Sequence, residues 1–84
     1  MNDNRDVWFS PDEGLYYLIS EERTKEEAWK DINTYLKNHE YKIPYVRIWE
    51  ENKMQWYDVG SHSEFFVWAR REDIPTQIIS GDSI

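Results

Sequence analysis

Residues 45–71, YVRIWEENKMQWYDVGSHSEFFVWARR, decide the fold of this chain of 84 residues. The stretch contains three of the five Trp residues and three runs rich in β-branched and aromatic residues, at 45–50, 54–59 and 65–70. Short polar segments that favour turns separate these runs. Apolar runs bounded by such segments are typical of antiparallel strands. We therefore predict a three-stranded meander.

The turn between the first two strands sets their register. Asn52 is the residue there that best accepts a positive φ, and a loop centred on Asn52 and the residue after it places Arg47 opposite Asp58 and Trp49 opposite Trp56. An opposite-charge pair and an aromatic pair each stabilise a sheet by about 0.2–1 kcal/mol. The sequence therefore predicts this register.

Alternation along the strands assigns their side chains to two faces. We expect the helix to cover the mostly aliphatic face, which holds Val46, Ile48, Tyr57, Val59, Phe65, Val67 and Ala69. The other face, which also carries Asp58, is the candidate partner-binding face, because Trp, Tyr and Arg are enriched at binding hot spots. Its candidate residues are Tyr45, Arg47, Trp49, Trp56, Phe66, Trp68 and Arg70.

Two interpretations of the candidate partner-binding face stay open. Residues 8–9 and 78–79 are apolar and could cover the face as a second small core, or a homodimer partner could cover it. Alternatively, the face is an exposed aromatic patch that serves recognition, since large exposed patches are rare without a purpose.

The rest of the chain completes an α+β domain. Residues 24–38 predict an amphipathic helix that starts with a capping box formed by Thr24 and Glu27. Residues 7–20 predict a hairpin, and residues 76–79 a short edge strand. We predict a single domain over 1–84, with 1–6 and 80–84 disordered, in which one helix packs on one face of an antiparallel sheet of four or five strands. The order is β-β-α-β-β-β.

Composition narrows the class of partner. The net charge is −7 and cysteine is absent. An acidic surface repels a phosphate backbone, so we expect no direct nucleic-acid binding and favour a protein partner of basic character. We find no signal peptide and no apolar run long enough to span a membrane. The sequence thus favours a cytoplasmic protein without membrane contact.

A cluster of acids surrounds the hairpin turn and the first half of the helix. One interpretation is a solvated face whose charges also complement the helix dipole. The other is an anionic surface that engages a basic groove, as inhibitors that mimic nucleic acid do. The acids are Asp12, Glu13, Glu21, Glu22, Glu26, Glu27 and Asp31.

Motifs for catalysis are lacking. The chain has no phosphate-binding loop, HExxH or EF-hand pattern. Asp58, His62 and Glu64 lie around one turn and are the candidates for a divalent metal, but turns favour such residues for backbone reasons alone. We therefore expect no metal, no cofactor and no enzymatic activity. A small-ligand or carbohydrate binder that uses stacked Trp side chains remains an alternative.

The run WYDVGSHSEFF, residues 56–66, and the Trp-rich strands around it resemble small uncharacterised proteins of phages and mobile elements from low-GC Gram-positive bacteria. The resemblance covers residues 45–70 and assigns no functional residue. It implies an accessory protein that acts on host or phage machinery through contacts. Together with the residue pattern, it favours a small non-enzymatic protein-interaction module.

Overall fold

The computed structural model describes residues 3–11, 14–39, 46–60 and 64–74. Within these ranges the strands form one sheet in the order β2-β1-β5-β4-β3, with all neighbours antiparallel, and the helix packs on one face. The predicted α+β class and element order are confirmed. The elements are β1 Arg5–Ser10, β2 Tyr17–Arg23, α1 Lys25–Asn38, β3 Arg47–Glu51, β4 Met54–Asp58 and β5 Phe65–Ala69, followed by a 3₁₀ turn at Arg71–Asp73.

Strand β1 lies inside the sheet, between its hairpin partner β2 and the distant β5. Trp8 pairs with Leu18 on one side and with Val67 on the other. Arg5 belongs to the segment 1–6 for which the sequence predicts disorder, but it is the first residue of β1. Its guanidinium lies 4.3 Å from the centre of the Trp68 ring, a cation–π contact that holds the start of the strand on the sheet.

Strand β2 runs to Arg23, beyond the predicted end at residue 20. Its register against β1 shifts twice, which leaves extra residues in β2 at two bulges. At the second bulge Glu22 has a φ of 55°, and its backbone N–H donates to Asp6 Oδ1 over 3.1 Å. The bulges bend the strand and deliver the chain directly to Thr24, the N-cap of α1.

Helix α1 begins with the predicted capping box. The Thr24 hydroxyl accepts from the Glu27 N–H over 3.2 Å, and the Glu27 carboxylate accepts from the Thr24 N–H over 3.0 Å. The latter bond lowers the pKa of Glu27. Ala28, Ile32 and Leu36 are fully buried against the sheet, and each large aliphatic side chain buried in this way contributes about 1.5–3 kcal/mol.

The β3–β4 hairpin has the predicted register. Arg47 pairs with Asp58 and Trp49 with Trp56. Asn52 and the following Lys53 have φ values of 55° and 65°. Two consecutive positive φ angles define a type I′ turn, whose twist matches that of the flanking strands. The predicted register of this hairpin is thus confirmed. It could be predicted from the sequence because the geometry of the turn depends on two adjacent residues.

The predicted faces of β5 are wrong. Asp58 pairs with Phe65, and Tyr57 pairs with Phe66, which places Phe66 and Trp68 under the helix. Phe65, Val67 and Ala69 consequently lie on the opposite side, called the outer face below. A shift of one residue in pairing exchanges every side chain between faces, and the length of the connection between β4 and β5 sets that shift.

Each face of the sheet carries a core. The core under the helix consists of Val7, Ala28, Ile32, Leu36, Tyr57, Val59, Phe66 and Trp68. The second core covers part of the outer face and consists of Trp8, Tyr16, Met54, Val67, Ala69 and Ile74.

Trp8 anchors the second core: it is fully buried and its Nε1 donates to the Ala69 carbonyl over 2.9 Å. Of residues 8–9, only Trp8 therefore covers the outer face, while Phe9 packs under the helix against Phe66. The predicted roles of 76–79, 78–79 and 80–84 lie outside the described residues.

Candidate interaction surface

Three half-buried aromatic side chains form a cluster on the outer face, one from each of the strands β3, β4 and β5. Trp49 and Trp56 are nearly parallel, with ring centres 6.2 Å apart and an angle of 9°. Phe65 presents a perpendicular contact to both, at 6.3 Å and 6.0 Å. Such offset and edge-to-face pairs add about 0.5–1.5 kcal/mol beyond their buried area. These three residues are called the aromatic cluster below.

A cation lies beside the aromatic cluster. The Arg47 guanidinium lies 5.5 Å from the centre of the Trp49 ring and donates to Asp58 Oδ2 over 3.0 Å. The Asp58 carboxylate also accepts from the Gly60 N–H, and this bond, followed by the contact with Arg47, lowers the pKa of Asp58. The Arg47 side chain is nevertheless 67% exposed. A positioned and largely exposed cation therefore flanks the indole.

The aromatic cluster continues the second core toward the sheet edge. Tyr16, which is buried, contacts Trp56 edge-on with ring centres 6.5 Å apart. The Trp56 Nε1 is buried without an acceptor among the described residues, whereas the Trp49 Nε1 donates to Glu51 Oε1 over 3.3 Å. Trp49 belongs to the edge strand β3, whose other four residues are exposed, so it is the end of the cluster at the sheet edge.

The structure brings together only part of the predicted partner-binding set. Arg47, Trp49 and Trp56 are neighbours on the outer face. Phe66 and Trp68 lie under the helix, so their assignment to this face is wrong; the Trp68 Nε1 donates to the Arg23 carbonyl instead. Arg70 follows β5 and donates to Asp3 over 2.9 Å instead of joining the cluster. Tyr45 lies outside the described residues.

Sequence reasoning missed Phe65. Its neighbour Phe66 has the same chemistry, and the run FFVWA of β5 is apolar at every position. The alternation of side chains therefore contained no signal that could place Phe65 on the outer face and Phe66 under the helix.

The predicted acidic patch is divided by internal contacts. Glu27 belongs to the capping box, and Asp31 accepts from Ser20 over 2.8 Å and contacts Arg23 at 2.9 Å. Glu21 lies 3.7 Å from Arg71. Asp12 and Glu13 lie outside the described residues. Glu21, Glu22 and Glu26, near the end of β2 and the start of α1, are exposed.

The candidate metal set is not assembled by the described residues. Asp58 uses its carboxylate for Arg47 and Gly60, and His62 lies outside the described ranges. Glu64 directly precedes β5. Over the ranges that the structure describes, no three His, Cys, Asp or Glu residues are arranged to hold a metal ion.

A polar cleft of about 350 Å³ lies at the start of α1, on the other face of the sheet. Arg5 lines it and is 11% exposed. Its guanidinium donates to both Asp3 oxygens and to the Lys53 carbonyl, and it covers Trp68. Because the Arg5 guanidinium is already bound by groups of the chain itself, we interpret the cleft as a structural junction between β1, α1 and the β3–β4 hairpin.

Comparisons with protein-family models, curated proteins and solved structures find no match. In the part of the chain that the structure describes, no helix has the length and apolar character needed to cross a membrane. The chemistry of the aromatic cluster is consequently the guide to function.

Proposed function

We propose that the protein is a small non-enzymatic interaction module that binds another protein through the aromatic cluster. The observation that carries the proposal is the stack of Trp49 on Trp56, half-buried at the open side of the sheet and flanked by the exposed Arg47. Trp and Arg are the residues most enriched at positions that dominate binding energy.

The cluster is preorganised for contact. The indoles of Trp49 and Trp56 hold each other in place, and Phe65 supports both from β5. A partner that covers them gains roughly 25 cal/mol for each Å² of apolar surface removed from water. Binding also costs little side-chain entropy in this chain, since ordered aromatic anchors bind at low entropic cost.

The charge of the chain favours a basic partner. The net charge is −7, and the exposed Glu51 lies on β3 on the same face as the cluster. Long-range attraction between opposite charges raises the association rate and weakens as salt is added. A basic protein that packs an apolar side chain against Trp49 would complement both the negative charge and the aromatic cluster. The resemblance to phage and mobile-element proteins suggests that this partner belongs to host or phage machinery in the cytoplasm.

The test compares two half-buried Trp residues on opposite faces of the sheet. Trp49→Ala removes the end of the cluster at the sheet edge, whereas the control Trp29→Ala removes a helix residue that stacks on Tyr57. In a host-lysate pull-down, a protein captured by the unmodified chain is identified and its affinity measured. Truncating a hot spot costs about 2 kcal/mol or more, so Trp49→Ala should weaken that binding about 30-fold. Equal affinities of the two folded variants would contradict the proposal.

The exposed acids favour a second candidate, an acidic inhibitor that mimics nucleic acid. Glu21 and Glu22 lie near the end of β2 and Glu26 in the first turn of α1, and all three are exposed. Reversing all three to Lys should abolish binding to a basic nucleic-acid-binding protein, and binding by the unmodified chain should fall steeply with salt. Binding that survives both treatments would remove this candidate.

A small-ligand or carbohydrate site is less favoured. Trp49 and Trp56 stack on each other, so one face of each ring is already occupied. Direct titration of simple sugars against Trp fluorescence tests this alternative, and we expect no saturable change.

A further inference from the structure

The two edges of the sheet differ in how they are protected. Edge strand β2 carries two bulges, one of them at Glu22 with its positive φ. Bulges distort the row of N–H and C=O groups that another strand would need. Edge strand β3 pairs with β4 in unbroken register. Among the described residues no strand covers its other side, so β3 is the open edge.

The side chains of β3 are complementary to themselves. Arg47, Trp49 and Glu51 follow one another along the outer face, so that the strand reads cation, indole, anion. If a second β3 runs antiparallel to it about a twofold axis at Trp49, each cation lies opposite an anion. Directly opposed residues in antiparallel strands are close enough for such charge pairs to form. The interface would be isologous, as in most homodimers.

We propose that the protein forms a homodimer through β3, with Trp49 opposite Trp49 of the partner subunit. Arg47 then lies opposite Glu51 of the partner subunit, and this pair occurs twice. Ile48 is 51% exposed and lies on the helix side of β3. In the dimer it lies opposite Glu50 of the partner subunit and diagonally across from the partner's Ile48. The two sheets become one sheet of ten strands.

The charge pairs do not compete with contacts inside one copy. Arg47 uses Nη2 for Asp58, which lies on the β4 side, and its side chain remains largely exposed. Glu51 is exposed and accepts from the Trp49 indole in the same strand. Across the dimer the indoles form a row of four, two from each copy. The dimer goes beyond the proposed function, because it holds whether or not the aromatic cluster binds a partner protein.

The experiment uses two charge-reversed chains that cannot pair with themselves. Arg47→Glu places carboxylates opposite carboxylates, and Glu51→Arg places guanidinium groups opposite each other. Sedimentation equilibrium should show a concentration-dependent dimer for the unmodified chain and at least about tenfold weaker self-association for each variant alone. An equimolar mixture restores two opposite-charge pairs and should restore dimerisation as a heterodimer.

Three results would each overturn the proposal: an unmodified chain that stays monomeric at high concentration, a single variant that dimerises as well as the unmodified chain, or a mixture that stays monomeric. A twofold axis at Ile48 would give the second result, since it places Arg47 opposite Trp49 of the partner subunit and away from its Glu51. Hydrogen exchange of the unmodified chain provides a measurement that requires no variant. Protection of β3 amides should rise with concentration while that of β2 amides does not, and equal behaviour of the two edges would also refute the dimer.

Discussion

Replacing Phe66 and Phe65 by Ala, one at a time, gives the sharpest test of the sheet register. The two residues are adjacent and identical in chemistry, but the structure buries Phe66 completely under the helix and leaves Phe65 half-buried on the outer face. If the faces followed the alternation that the sequence predicts, Phe65 would be the core residue. In the observed register Phe66→Ala should be the less stable variant, whereas in the register predicted from the sequence Phe65→Ala would be.

The expected magnitudes follow from the environment of each ring. Phe66 is 0% exposed and contacts Phe9 at 5.1 Å and Tyr35 at 5.3 Å between ring centres. Truncating such a ring costs about 3–5 kcal/mol. Phe65 loses the contacts with the two indoles and part of its buried area, or about 1–2 kcal/mol. A domain of this size has a total stability of about 4–13 kcal/mol, so Phe66→Ala removes a large share of it.

Urea unfolding followed by Trp fluorescence measures the difference. With a denaturant slope of about 1–3 kcal/mol/M, Phe66→Ala should lower the midpoint by at least about 1 M. The shift for Phe65→Ala should be clearly smaller. Equal shifts, or a larger loss for Phe65→Ala, would refute the pairing of β4 with β5 in which Tyr57 lies opposite Phe66.

Three further perturbations test other parts of the structure. Thr24→Ala should lower stability by about 1 kcal/mol, because the capping bond to the Glu27 N–H is lost, and an unchanged urea midpoint would contradict this. Trp8→Phe keeps an aromatic ring but leaves the Ala69 carbonyl without the indole donor, so thermal unfolding should show a loss of about 1–3 kcal/mol; a neutral effect would refute the role of that bond. Because the pKa of Asp58 is lowered on folding, its contribution is present above about pH 4 and is lost as the pH falls below it. The stability gap between the unmodified chain and Asp58→Asn should therefore close in acid, and a constant gap would argue against a charged contact.

Local signals made part of the fold predictable. The helix start depends on Thr24 and Glu27, three residues apart, and the β3–β4 register depends on the two turn residues at 52–53. In both cases the deciding contacts join residues close in sequence. The pairing of Trp49 with Trp56, and thus the main part of the candidate interaction surface, could be derived for this reason.

Distant contacts made the rest unpredictable. The faces of β5 depend on the length of the connection after β4, and its apolar run gives no alternation to correct an error. The extension of β2 depends on bulges whose positive φ at Glu22 is stabilised from another strand by Asp6. No property of Glu22 itself indicates this conformation, which is uncommon for a residue other than Gly, Asn or Asp.

The position of β1 between β2 and β5 has a consequence for synthesis. A nascent chain can form the β1–β2 hairpin and the helix early, but β5 is the strand that supplies Val67 opposite Trp8 and Phe66 to the core that contains Leu36. Until β5 emerges from the ribosome, one side of β1 has no pairing partner, and the core under the helix lacks Phe66 and Trp68. Contacts that span most of the chain also slow folding. The sheet is thus completed only after β5 has been synthesised, and chains truncated before β5 should be prone to aggregation.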